Sequence, residues 1–173
     1  MRLIEPLLAE MEQESISTAR VLERVPQAHL GWRPHPKSMS LGQLALHVAT
    51  IPALVSELAA QDVTPELPSF EQPEAATAEE LLPALHSSLA RAHAALGGMD
   101  DQRMLGTWRL LSGGKEIMAM PRVAMVRSIM LNHWYHHRGQ LLVYLRMHNV
   151  PLPSVYGPTA DENPLTAAAS AAN

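Results

Sequence analysis

The chain has 173 residues, with 13 basic and 17 acidic side chains, 9 histidines and no cysteine. This length suits one domain, and an apolar fraction of 47% is sufficient for a sizeable core. A formal charge of -4 without a basic face argues against a nucleic-acid partner, and the lack of cysteine excludes disulfides, thiolate metal sites and a cysteine nucleophile.

The first predicted element is an amphipathic helix over about residues 2–24, where apolar residues recur at spacings of three and four. Its apolar stripe is interrupted by Ser15 and Thr18, which indicate either a tight helix crossing or the wall of a polar site. The N-terminal sequence alternates apolar and acidic residues where a signal peptide would be continuously apolar. We therefore expect a cytoplasmic protein.

The second helix is predicted to begin at Leu41, after a proline-containing loop. Ser40 and Gln43 have the spacing of a capping box, in which each side chain accepts a backbone N–H of the other residue. Pro52 should bend this helix. Residues 38–56 carry no formal charge, but their polar interruptions favour a buried helix over a membrane span. The inward stripe contains Leu44, His47, Ile51, Leu54 and Leu58.

Residues 61–76 contain three prolines and are predicted to form a long crossover between the second and third helices. The third helix is predicted over about residues 78–96, with a capping box formed by Thr77 and Glu80. The segment from Thr107 to Met120 contains two glycines in succession, which favour a small hairpin or a wide loop.

The fourth helix is predicted to start with Pro121 as its first residue and to continue to about His148. Its residues at alternating spacings of three and four form a seam that should face the bundle core. Apolar residues outside this seam predict a homodimer, although contact with loops of the same chain explains them equally well. The seam is Val123, Val126, Met130, His133, His137, Gln140 and Tyr144, and the outlying residues are Met125, Leu131, Trp134, Leu142 and Leu145.

The two histidines of the seam suggest a metal site. His133 and His137 are four residues apart, so both imidazoles can reach one ion beside the helix. Most helical pairs with this spacing are incidental, but an unpaired imidazole on an apolar seam would cost about 1–3 kcal/mol. His47 is a third inward histidine, and a bundle that places the two helices side by side would create a three-histidine site.

Other polar residues are weaker candidates for the metal site. His136 lies off the seam and is interpreted as a flanking residue, and His86 and His93 suit a solvated helix face. Gln140 and Gln43 lie one turn from His137 and His47, so they either orient the imidazoles or are ordinary surface amides.

Three stretches of the chain resemble the DinB-like, or YfiT-like, metalloprotein superfamily of damage-inducible bacterial proteins. They are WRPHPKSMSLGQLALHVA, LNHWYHHRGQLLVYLR and LPSVYGPTADE, and the resemblance extends from Met1 to about Asn163. It implies an all-α, up-down-down-up four-helix bundle as a single domain over residues 1–163, with a tail at 164–173. It also implies a dimer and one divalent metal ion held by His47, His133 and His137.

The resemblance leaves the reaction open, because relatives include transferases and isomerases that use low-molecular-weight thiols. We expect zinc or nickel, with coordination positions open to water or a thiolate, which favours an enzyme because structural zinc sites are normally closed by four protein ligands. The expected reaction is thiol transfer to an electrophile, and the alternatives are hydrolysis or a non-enzymatic stress-response role. Trp32, Arg138 and residues 107–120 are expected to border the site, although Trp32 and Arg138 suit packing and surface roles equally well.

Overall fold

The computed structural model describes residues 1–66 and 72–165. The chain forms a helical bundle with a small sheet attached. In chain order, the elements are α1 (Ile4–Leu22), α2 (Leu41–Ala60), β1 (Val63–Thr64), α3 (Leu81–Leu96), α4 (Asp101–Leu105), β2 (Thr107–Ser112), β3 (Lys115–Pro121), α5 (Arg122–Met125), a π-helical segment (Val126–Asn132) and α6 (His133–Met147). The last three are continuous and form the fourth long helix of the bundle.

Both predicted capping boxes are present. The Ser40 hydroxyl accepts the Gln43 N–H at 3.1 Å, and the Gln43 side chain accepts the Ser40 N–H at 2.9 Å. As predicted, α2 begins at Leu41. The box of Thr77 and Glu80 opens a 3-10 turn over Ala78–Glu80, and α3 follows it directly. Local sequence therefore sets the start of both helices.

Two contacts between α2 and α3 show that these helices run parallel. The Ala53 N–H of α2 donates to the Ser88 hydroxyl of α3 at 2.9 Å, and one turn later Glu57 pairs with Arg91 at 2.7 Å. Because the contacts advance along both helices together, the two have the same direction. This arrangement requires the long connection that the sequence predicted, of which residues 67–71 lie outside the described part of the chain.

The fourth long helix is antiparallel to α2 and parallel to α1. Against α1, Glu10 pairs with Arg127 and Glu14 with Arg138, so the contacts advance together. Against α2, Arg122 contacts the end of the helix at Ala59, whereas Trp134 contacts it earlier. The directions are therefore up-down-down-up, as expected from the resemblance.

Trp134 connects the fourth helix to the middle of α2. Pro52 lies inside α2 and has no N–H to donate to the carbonyl of Val48, four residues earlier. The Trp134 indole N–H donates to this same carbonyl at 2.8 Å, and Trp134 is fully buried. A group that the proline leaves unpaired within the helix is thus paired across the helix interface.

The sheet corrects the expectation of an all-α fold. β1 pairs parallel with β2, and β2 pairs antiparallel with β3. Gly113 and Gly114 connect β2 to β3 with φ angles of +56° and +75°, as a two-residue hairpin turn requires. The hairpin alternative was therefore right. Pro121 was wrongly predicted as the first helical residue, because it ends β3 and precedes α5.

Helix α2 forms the centre of the core. Among the described residues it is long and apolar enough to cross a membrane, with a mean hydropathy of 1.3, but buried core helices meet the same criterion. Within the protein, 56% of this stretch is buried. The prediction of a buried helix is confirmed, although Leu54 of the predicted inward stripe is 44% exposed.

The apolar residues that suggested a dimer are mostly covered within one chain. Met125, Leu131, Trp134 and Leu145 are buried, and Leu142 is partly buried against the same core. Their interpretation as an uncovered surface was wrong. These residues belong to the bundle core of the chain itself, where Trp134 contacts α2 and not a loop. The homodimer itself stays a prediction, as does the division at residue 163, because most of the predicted tail lies beyond the described residues.

The pairing of Trp134 with the carbonyl that Pro52 leaves free predicts a specific coupling between these two residues. Trp134→Phe should lower the free energy of unfolding by about 1–3 kcal/mol for the unpaired buried carbonyl, in addition to the lost packing. In a Pro52→Ala background the cost should be smaller, because the new N–H can pair with the carbonyl within the helix. Urea denaturation of the four proteins of this cycle measures the coupling.

Trp108 provides a matched control for this cycle. Its buried indole N–H donates to the Thr64 hydroxyl at 3.1 Å, away from Pro52. Trp108→Phe should therefore cost the same with or without the Pro52→Ala change. An equal cost of Trp134→Phe in both backgrounds would contradict the proposed pairing.

Candidate metal centre

Three histidines from two helices converge at the interface of α2 and α6. The ring centroid of His47 lies 5.3 Å from that of His133 and 4.7 Å from that of His137. The ring centroids of His133 and His137 are 4.5 Å apart. One nitrogen from each ring lies within 4.8 Å of the other two. The three residues identified from the sequence therefore form a group that can hold a metal ion.

The donor nitrogens suit a shared ion. Nε2 of His133 and Nε2 of His137 are 2.8 Å apart. Imidazole nitrogens bind zinc at about 2.0–2.1 Å, so two of them on one ion are separated by roughly 3 Å. Neutral imidazoles are also ligands for nickel, copper and iron, so the donor set fits a divalent transition metal without selecting one.

The histidines lie at the edge of the core and not on its central stripe. Val126 and Met130 of the predicted seam are fully buried. Beyond the π-helical segment the buried stripe changes to Trp134, Arg138, Leu141 and Leu145, one position after the predicted residues. A π turn is wider than an α turn and shifts the phase of the residues that follow. His133 and His137 are consequently half-buried, beside the core and within reach of solvent.

Burial keeps these imidazoles uncharged at neutral pH. The pKa of His47 is lowered to about 4, mainly by burial and further by repulsion from His137 and His133. Burial also lowers the pKa of His137 to about 4, against an opposing effect of its hydrogen bond to Gln140. The pKa of His133 is lowered by burial and by His136. Neutral imidazole is the form that binds metals, so the site needs no deprotonation near pH 7.

These pKa shifts predict that the metal-free protein is sensitive to acid. His47 and His137 have an ordinary pKa of 6.5 and a pKa of about 4 in the folded protein. Between these values the unfolded chain binds protons that the folded chain excludes. The free energy of unfolding should therefore have its highest value above pH 6.5 and should fall as the pH decreases towards about 4.

Urea denaturation of chelator-treated protein at a series of pH values measures this effect. A His47→Leu/His137→Leu double variant should lose most of the slope between these pH values, because the two titrating groups are gone. His86→Gln should keep the slope, since His86 is exposed. If the double variant retained the full slope, the acid sensitivity would come from groups other than His47 and His137.

The two glutamines next to the histidines have different roles. Oε1 of Gln140 lies 2.7 Å from Nδ1 of His137, so this amide contacts the cluster. Gln43 instead uses its side chain for the capping box and for the carbonyl of Gln72. The contact that the orienting interpretation requires is therefore present for Gln140 and missing for Gln43.

The remaining histidines lie outside the cluster. His86 and His93 are exposed on α3, as predicted. His136 is exposed and flanks the cluster, with its ring 5.0 Å from that of His137. His29 and His148, which had no assigned role, stack on each other with their ring centroids 4.1 Å apart. This stack packs the loop before α2 onto the end of α6.

Arg138 points towards α1, where it pairs with Glu14, so its interpretation as a border of the site was wrong, and so was the alternative of a surface charge. It is 2% exposed and forms an ion pair with Glu14 at 2.5 Å. It also donates to the Thr18 hydroxyl at 3.0 Å and the Tyr156 hydroxyl at 2.5 Å. The break in the apolar stripe at Thr18 was the sequence signal for this buried network. Thr18 belongs to this network, whereas the Ser15 hydroxyl donates to the Glu12 carbonyl of its own helix.

Of the other two expected borders, the hairpin lies away from the histidines, and Trp32 has packing contacts with other rings. The hairpin of residues 107–120 pairs with β1, which follows the end of α2. Ala59, near that end, is twelve residues after His47, or about 18 Å along a helix. Trp32 packs its ring edgewise against Tyr144 and His148. For Trp32 the packing alternative is therefore the one that the structure supports.

The sequence profile of the DinB family matches residues 3–164 of the chain. The protein belongs to the DinB family. The chain is also 25% identical over 160 residues to a protein of Bacillus subtilis (strain 168) named "Uncharacterized protein YrdA", with 92% of this chain and 91% of that protein covered. The name of this relative assigns no reaction.

Two crystal structures have the same fold. A DinB-like protein from Bacillus cereus ATCC 10987 matches with a TM-score of 0.67 and 25% identity, over 88% of this chain and 97% of that one. The DinB-like protein YjoA from Bacillus subtilis matches with a TM-score of 0.65 and 18% identity, over 87% and 97%. The predicted superfamily is confirmed, and the fold is DinB-like.

Proposed function

We propose that this DinB-family protein binds one divalent metal ion through His47, His133 and His137 and is a metal-dependent enzyme. The convergence of three neutral imidazoles from two helices carries this proposal. Among the described residues, no acidic side chain joins the three-histidine group. Three protein ligands leave coordination positions free for a small molecule, which is typical of catalytic and not of structural sites.

Each ligand has a defined role in this proposal. His133 and His137 supply two nitrogens from successive turns of one helix, and His47 supplies the third from across the interface. All three are half-buried, so solvent is partly excluded from them and partly in contact with them. A divalent metal bound there would lower the pKa of a coordinated thiol or water and thereby increase its nucleophilic fraction.

The proposed reaction is transfer of the sulfur of a low-molecular-weight thiol to an electrophile. Because the chain has no cysteine, the sulfur nucleophile must come from a small molecule. In the transfer, the thiolate forms a carbon–sulfur bond while the leaving group departs with its electron pair, and the thiol proton passes to solvent. Activation of water for hydrolysis is the alternative for the same open position.

Metal content tests the ligand assignment. His47→Ala and His137→Ala should each greatly reduce the metal bound to protein purified without an affinity tag, because two remaining imidazoles hold the ion weakly. His86→Ala and His93→Ala are matched controls on an exposed helix face and should retain it. Elemental analysis measures the stoichiometry and identifies the metal. Stoichiometric metal in a variant lacking all three histidines would refute the assignment.

Cobalt substitution separates the thiol reaction from its alternatives. If a thiol binds at the open position, its addition to the cobalt protein should produce a sulfur-to-metal charge-transfer band. The metal-loaded protein should then accelerate conjugation of that thiol to a chlorinated or epoxide substrate, and His133→Ala should abolish this excess rate.

The other outcomes replace the thiol reaction. A cobalt spectrum that no thiol changes, combined with metal-dependent hydrolysis of an ester or amide, would favour the hydrolase. The absence of both activities over a broad panel, in protein that does bind metal, would favour a non-enzymatic stress-response role.

A further inference from the structure

Gln140 contacts the three-histidine cluster but contributes nothing visible to the fold. It is exposed on α6, one turn after His137. Within the described part of the chain its side chain makes one hydrogen bond, between Oε1 and Nδ1 of His137 at 2.7 Å. A side chain with this single partner has its effect on the histidine and not on the packing of the bundle.

This contact determines where the proton of His137 lies. With the amide oriented as in this structure, its oxygen accepts the hydrogen bond and Nδ1 of His137 carries the hydrogen. A neutral imidazole has one N–H, and its other nitrogen is then a free lone pair. In His137 that nitrogen is Nε2, which lies 2.8 Å from Nε2 of His133, inside the cluster.

Apart from the 2.8 Å contact between the Nε2 atoms of His133 and His137, the other two histidines have no hydrogen bond to a neighbouring side chain among the described residues. Nδ1 of His133 is buried and has no hydrogen-bond partner among the described residues. The backbone carbonyl of Ile129 nevertheless raises the pKa of this ring, against the larger effect of burial. No side chain of the described residues hydrogen-bonds the ring of His47. His137 is thus the member of the cluster whose orientation a neighbouring side chain controls.

We infer that Gln140 is a positioning residue, which holds His137 in the Nδ1–H tautomer and directs its Nε2 lone pair into the cluster. This inference rests on the proposed metal site and adds a residue to it. Partners of this kind fix the ring orientation of metal-binding histidines and raise their basicity, and their loss typically reduces metal affinity by about 10- to 100-fold.

The tautomer can be measured in metal-free protein. Long-range ¹H–¹⁵N spectra at neutral pH should show His137 as the Nδ1–H form in the natural sequence. In Gln140→Leu, which cannot accept a hydrogen bond, a substantial Nε2–H population should appear. Gln140→Glu keeps an acceptor at this position and should retain the Nδ1–H form. An Nε2–H form in the natural sequence would mean that the amide donates through its nitrogen, and it would overturn the inference.

Metal affinity provides the second measurement. In competition with a chelator for zinc, Gln140→Leu should bind about 10- to 100-fold more weakly than the natural protein, and Gln140→Glu should retain its affinity. Gln13→Leu is a matched control, since Gln13 is an exposed glutamine on α1. Its affinity should be unchanged, and the unfolding of all metal-free variants should match that of the natural protein.

The two measurements separate this inference from the proposed function. If the natural protein bound no zinc, the metal site would be refuted, while the spectra would still show whether Gln140 sets the tautomer. If the natural protein bound zinc and Gln140→Leu bound it equally well, the metal site would stand and the positioning role would be refuted.

Discussion

The hydrogen bond between the Trp134 indole and the Val48 carbonyl connects the two helices on which the histidine site is built. Val48 follows His47 in α2, and Trp134 follows His133 in α6. Pro52 makes this carbonyl available, because it cannot supply the helical N–H that would otherwise pair with it. A buried carbonyl must find a partner, and here the partner comes from the other ligand-bearing helix. The same hydrogen bond therefore pairs the carbonyl that Pro52 leaves free in α2 and holds α2 against the helix that carries His133 and His137.

Buried arginines satisfy polar groups at other points of the bundle. Arg122 donates to the carbonyls of Ala59 and Gln61, at 2.9 Å and 3.0 Å, where α2 ends. Arg138 of α6 pairs with Glu14 of α1 at the interface of these two helices. A buried charge is tolerated only when it is paired and hydrogen-bonded, and these two meet that condition. They join helices with polar contacts that have a preferred geometry, which apolar packing alone does not impose.

This scaffold leaves the histidines in an intermediate environment. They are buried enough for desolvation to hold the pKa of His47 and His137 near 4. They are also partly exposed to solvent, as half-buried side chains. A fully buried cluster would be closed to small molecules. In an exposed cluster the imidazoles would keep their ordinary pKa, and protons would compete with a metal ion for their nitrogens below pH 7. Membership of the DinB family is compatible with several reactions on this framework, since a fold does not determine the chemistry of its site.

The sequence by itself determined the features that depend on neighbouring residues. The capping boxes at Ser40 and Thr77 and the paired glycines of the hairpin follow from local backbone chemistry, and the structure has them where the sequence places them. The spacing of His133 and His137 likewise puts both imidazoles on one side of a helix. Together with the family resemblance, these patterns identified the cluster and the order of the helices.

The tertiary structure decided what depends on contacts between distant segments. The π-helical segment moved the core stripe by one residue, so that His133 and His137 lie beside the core, and helical periodicity contains no signal for such a wide turn. Arg138 is buried because Glu14, 124 residues away in the chain, lies opposite it. A sequence pattern shows which residues share a face of one helix. Only the packed bundle shows what that face meets, because burial and pairing are properties of the contact between helices.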